Sequence, residues 1–179
     1  MAEPATGPGG FWSGLLTTTG RAALSLPRPV WAAVAAAWAG LIWYLSSQPG
    51  SPEGNSLVWA WAGNLAHAPL FGLLALWLAL TLPRTGQGEG RWSRLSTGDL
   101  VLVAALVLAW GVTDEWHQSW VSDRTASVAD MATDLVGALG TLVVARAAGD
   151  PACGEGGLRL RLALAALACV SAALVATLV

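Results

Sequence analysis

The chain contains no lysine. Its nine basic residues are all arginine and face 11 acidic ones, so that charged side chains make up only 11% of 179 residues. A soluble domain carries about 25% charged residues. That shortfall, with 55% hydrophobic residues and a mean hydropathy of +0.57, excludes an ordinary soluble domain and reads as a single-domain integral membrane protein. A net charge of −2 without a basic cluster excludes nucleic acid as a partner. Cysteine is scarce too: Cys153 falls in a loop and Cys169 in an apolar run, so neither a disulfide nor a metal-type spacing is expected. There is no G-x-S-x-G, no H-E-x-x-H and no glycine-rich phosphate loop, which removes the commoner enzyme classes. No cofactor is expected. Missing lysine together with abundant Ala, Leu and Gly points to a GC-rich bacterial genome.

What remains is mostly long apolar runs. Residues 1–28, rich in Gly, Pro and Thr at their start, read as a mobile tail carrying Arg21 and Arg28. Residues 29–46 carry no charge and can span about 27 Å as a helix. A turn-rich loop, 46–55, follows. The second span covers 57–82, contains Asn64 and His67, and stops at Pro83. A third runs from about 100 to 119 and a fourth from about 128 to 146. After a loop at 147–161, residues 162–179 form a fifth apolar run near the lower length limit for a span. The expected fold is all-α, a membrane bundle of about five helices.

Arginine placement sets an expected orientation. The tail and the loops at 83–99 and 146–161 hold all the arginines except Arg124. Basic residues favour the cytoplasmic side. The N-terminus is therefore expected in the cytoplasm and the C-terminus outside. The polar residues of three spans then gather at one level near the outer face, among Trp43, Trp59, Trp61, Trp116 and Trp120, as an interfacial aromatic belt would.

Most of that polarity lies between Gly111 and Gly140. Asp114, His117 and Gln118 share a helix face at i, i+3 and i+4, with Glu115 on its flank. Adjacent carboxylates near a histidine suit acid–base chemistry or cation binding, against the plainer reading of a solvated helix end. Ser127-Val-Ala-Asp130 matches a capping box, which makes Asp130 first a helix cap. Asp134 lies one turn deeper and needs a partner, with Arg124 and His67 nearest by depth. Arg124 can be a loop charge beside Asp123 or an anion clamp, for which its planar guanidinium is suited. Asn64 and His67 share a face and can act as interhelical glue. Gly137 and Gly140 let neighbouring helices approach closely. Arg124 is expected to fold inward onto Glu115 or Asp134.

The segment DEWHQSWVSDRTASVADMATDLVGALG resembles the signature of the VanZ-like membrane proteins. The resemblance rests on Asp114, Glu115, Gln118, Arg124, Asp130, Gly137 and Gly140, on Ser46-Ser47-Gln48-Pro49 after the first span, and on His67 in the second. It covers roughly residues 30–145. The chain departs from the family at Gly63 and Asn64, where Asp-Lys is common, at Phe71 in place of a Tyr, at Asp134 in place of an Asn, and in its fifth span. The resemblance implies a cell-envelope membrane protein, in a family whose name-giving member is linked to low-level teicoplanin resistance. The expected partner is a lipid or lipid-linked amphiphile, such as a cell-wall precursor or a lipoglycopeptide, with Arg124 holding its anionic part. The candidate site is His67, Asp114, Glu115, Gln118, Arg124, Asp130 and Asp134, with no metal. A membrane-embedded acid–base or metal enzyme and a small proton-coupled transporter working through Asp134 are the alternatives.

Overall fold

The computed structural model describes residues 11–49, 56–83, 92–124 and 126–179. Among them are six helices and no strand: α1 (Phe11–Ser25), α2 (Arg28–Ser46), α3 (Leu57–Thr81), α4 (Thr97–Gln118), α5 (Val128–Gly149) and α6 (Glu155–Leu178). Helices α2 to α6 are each 19 to 25 residues long and apolar enough to cross a membrane. The protein is an all-helical, multi-pass membrane protein.

Local chemistry explains several boundaries. Pro29 sits in the first turn of α2, where its missing N–H costs nothing. The Ser56 side chain caps α3 by accepting from the Trp59 amide. Helix α4 opens with a full capping box: the Ser96 hydroxyl accepts from the Asp99 amide and the Asp99 carboxylate accepts from the Ser96 amide. Asp123, at φ 60°, turns the chain after α4; aspartate tolerates that left-handed conformation better than most residues.

Helices α3 and α5 form the central pair, and α6 lies against both. Gly137 makes the α3–α5 contact possible, because a Cβ there would come within 2.6 Å of the Ala68 Cα on α3. Gly140 faces the other way, with Ala165 of α6 at 3.0 Å from such a Cβ. Both glycines thus serve close approach, to two different helices. Ile42, Phe71, Val103, Val107 and Leu142 fill the core among α2 to α5. The outward faces stay apolar, as at Val101 (64% exposed) and Leu167 (63%), which suits a lipid surround.

Three boundaries differ from expectation. The tail contains a helix, α1, docked by Ala23 against Trp31 and Leu80, with the Trp31 indole N–H donating to the Ala23 carbonyl at 2.9 Å. Residues 1–10 lie outside the described residues, as do 50–55 and 84–91 with Arg84 and Arg91. The loop expected at 147–161 shrinks to 150–154, since α5 continues to Gly149 and α6 begins at Glu155. The arginines that suggested a loop there sit on the first turns of α6, where Arg159 pairs with Glu155 at 3.2 Å. The fifth run gains length accordingly, to 24 residues.

Candidate functional site

Consecutive spans alternate in direction, as cross-helix bonds show. Arg28 at the start of α2 donates to the Thr81 carbonyl at the end of α3. Arg146 near the end of α5 donates to Thr97 at the start of α4. At the opposite end, the polar end, the termini of α2, α4 and α6 meet the first turns of α3 and α5.

Asp114 is 1% exposed. The Ser46 hydroxyl at the end of α2 reaches its two oxygens at 2.6 and 2.7 Å. The Gln118 amide donates to the same carboxylate at 3.0 Å. Their i, i+4 spacing on α4 makes this second bond. His117, from the same helix, turns toward α2 instead. Its Nε2 lies 2.9 Å from the Ser47 hydroxyl and its ring stacks on Trp43, centroids 3.9 Å apart.

Glu115 faces α5. Its Oε2 accepts the Ser127 amide N–H at 2.6 Å, and its Oε1 is buried without a partner among the described residues. This bond displaces the capping box expected at Ser127 and Asp130. The Ser127 side chain does cap α5, accepting from the Ala129 and Asp130 amides. The reciprocal acceptor, though, comes from α4 rather than from Asp130. Both acceptors are carboxylates, so the packing of α4 against α5, which brings Glu115 onto the amide at 2.6 Å, decides between them. The Asp130 carboxylate is left with no hydrogen-bond or ion partner among the described residues.

Asp134 pairs with His67, Oδ1 to Nδ1 at 2.9 Å. Its Oδ2 is buried without a partner among the described residues, against Gly111, where a Cβ would approach it to 3.2 Å. Of the two partners expected for Asp134, the structure supplies the histidine.

Arg124 does not fold inward. Its Nε donates to the Gln48 carbonyl just beyond α2 at 3.2 Å, and it makes no ion pair among the described residues. The turn at Asp123 aims it there, Glu115 and Asp134 already have partners, and the carbonyl end of a helix attracts a cation. The expected network therefore divides into three bonded groups, around Asp114, Glu115 and Asp134, with Arg124 apart from all of them.

Beside these groups lies an open cleft of about 580 Å³ between α3, the start of α5 and the end of α6. Asn64, Ser127, Asp130 and Thr177 supply its polar lining, and small apolar residues such as Ala60 and Val128 supply the rest. Asn64 donates to the Thr177 hydroxyl at 3.0 Å. Sequence reasoning missed Thr177 because its helix read as uniformly apolar. It missed Ser127 as the amide that holds Glu115 because a backbone donor leaves no mark in the side-chain pattern. Among the described residues, no three His, Cys, Asp or Glu side chains are grouped as metal ligands. Compared with family models, curated proteins and solved structures, the chain matches none.

Proposed function

We propose that this chain is a VanZ-like protein of the bacterial cell envelope that binds an amphiphile, of the class of lipid-linked cell-wall precursors or lipoglycopeptides, at the polar end of its bundle. In this reading it spans the inner membrane with its N-terminus in the cytoplasm and its C-terminus outside. Among the described residues Arg28, Arg94, Arg146, Arg159 and Arg161 lie at the end opposite the polar end and Arg124 lies at the polar end, which supports that orientation. The polar end then lies at the outer interface, level with exposed Trp59, Trp116 and Trp120.

The observation that carries the reading is the cleft. It joins hydrogen-bonding groups at one end of the bundle to the apolar flanks of α3 and α6. A head group held there leaves its chains running along lipid-facing helices. The test is native mass spectrometry of the protein purified in mild detergent, wild type against Ala60→Trp, which fills the cleft from its exposed rim. An amphiphile retained by the wild type and lost from the variant is the expected result. Equal retention in both removes the cleft as the site.

The His67–Asp134 pair favours one catalytic variant of this reading. A carboxylate on Nδ1 orients a histidine to use Nε2 as a base. In that case His67→Gln keeps amphiphile binding and loses turnover of the bound molecule.

A further inference from the structure

The free hydrogen-bonding capacity of the side chains that line the cleft is one-sided. The Thr177 hydroxyl has one proton, and it goes to the Ala173 carbonyl at 2.7 Å. Thr177 therefore accepts from Asn64, which fixes the Asn64 amide with its N–H toward Thr177 at 3.0 Å and leaves its Oδ1 as an open acceptor. The Ser127 oxygen is engaged by two amides. The Asp130 carboxylate lines the cleft and is half-buried, and Glu115 has taken the Ser127 amide that a capping box would have given it. Among the described residues lining the cleft there is no Arg or His, and the chain has no Lys. Among the side chains lining the cleft, what faces a ligand is thus one carboxylate and one amide oxygen, both acceptors; His67 and Arg124, whose charges act on Asp130, stand outside the lining. These side chains offer no donor to an anionic group and fit a cationic group with several N–H donors.

We propose that the cleft selects amphiphiles whose head group carries a primary ammonium, with Asp130 as its counter-ion and the Asn64 Oδ1 as its second acceptor. This rests on the binding reading above and narrows it. An alkylammonium offers three donors and a full positive charge, enough to satisfy both groups at once. The exposed Val128 and the neighbouring alanines supply the apolar rim for the first methylenes of the chains. Arg124 donates to the Gln48 carbonyl and is not among the residues that line the cleft.

The experiment is a lipid titration of the purified full chain by native mass spectrometry. It uses phosphatidylethanolamine, phosphatidylcholine and phosphatidylglycerol with identical acyl chains. Phosphatidylcholine keeps the positive charge without N–H donors, and phosphatidylglycerol has no cation. Phosphatidylethanolamine is expected to bind about tenfold more tightly than phosphatidylglycerol, with phosphatidylcholine between them. Asp130→Asn, close to isosteric, is expected to bring the three within about twofold of each other. Ala60→Lys, on the exposed rim of the cleft, is expected to reverse the order and serves as the second variant should Asp130→Asn fold poorly. Equal binding of the three by the wild type, phosphatidylcholine matching phosphatidylethanolamine, or a preference that survives Asp130→Asn overturns the ammonium assignment alone. No retention of any lipid overturns the binding reading with it.

Discussion

Ser46→Ala is the sharpest test of how the polar end is held together. The Ser46 hydroxyl reaches the Asp114 carboxylate at 2.6 and 2.7 Å, in a place where Asp114 is 1% exposed. Removing it leaves that carboxylate with the Gln118 amide alone, at 3.0 Å. A hydrogen bond to a charged group contributes about 1.5–3 kcal/mol, and water has no ready access to replace it. The variant should therefore lose about 2 kcal/mol, a factor of about 30 in the folding equilibrium. Asp114→Ala should cost a similar amount, since it strands the Gln118 amide. The double variant should cost less than the sum by about 1 kcal/mol or more, because the bond can be lost only once. Reversible unfolding in mixed detergent micelles, followed by tryptophan fluorescence, measures all three. A Ser46→Ala protein within about 0.5 kcal/mol of wild type, with additive single changes, would falsify the idea that this bond ties α2 to α4.

Four further outcomes are expected. Reporter fusions after Arg94 and Arg146 should give a cytoplasmic signal and a fusion after Ser122 an external one; a cytoplasmic signal at Ser122 overturns the orientation. Gly137→Leu should cost about 3 kcal/mol or more, because its side chain has no room against the Ala68 backbone. Gly63→Ala, with nothing within 4 Å of the new methyl, should stabilise α3 by about 0.5–1 kcal/mol in the same unfolding assay. Arg124→Ala and Glu115→Ala should be additive within about 0.5 kcal/mol, since the guanidinium rests on Gln48; coupling above about 1 kcal/mol would reveal an ion pair.

The convergence of polar residues at one end was legible because it follows from span order alone. Apolar runs of membrane length must alternate in direction, so Asn64, Asp114 to Gln118, and Asp130 to Asp134 reach one level whatever their packing. Which side chain meets which was not legible, because that depends on the rotation of each helix about its axis. Glu115 illustrates the limit. Ser127-Val-Ala-Asp130 is a sound local capping pattern, yet Glu115, twelve residues earlier, takes the amide at 2.6 Å. Local pattern names the cap residue, Ser127, and tertiary packing chooses the reciprocal partner. Helix α1 was hidden by a run of threonines and a glycine, weak helix formers in isolation, which docking against Trp31 and Leu80 offsets. The start of α6 was hidden by its charges. Arg159 and Arg161 look like loop residues in a hydropathy profile, although long side chains at a helix end can reach back to water.

The polar groups at this end divide into those buried between helices and those open to the cleft. Asp114 is held by Ser46 and Gln118, Glu115 by the Ser127 amide, and Asp134 by His67; each of these bonds joins two helices or closes a turn of one. All three carboxylates are buried, where an incoming head group does not reach them. Asp130 and the Asn64 carbonyl oxygen are the reverse case, accessible in the cleft and without a protein donor. Burial assigns the three carboxylates to holding the bundle, although Glu115 Oε1 and Asp134 Oδ2 have no partner among the described residues, and access assigns the second set to contact with a ligand. The two sets meet at Ser127, whose amide ends the Glu115 bond and whose hydroxyl caps α5. By occupying that amide, Glu115 supports the helix start and leaves the Asp130 carboxylate free. Asp130→Asn should consequently shift stability by less than about 0.5 kcal/mol while changing which lipids are retained. Ser46→Ala should do the opposite, weakening the fold without altering lipid preference. An Asp130→Asn protein that unfolds more easily and keeps its lipid preference would show that the division is drawn in the wrong place.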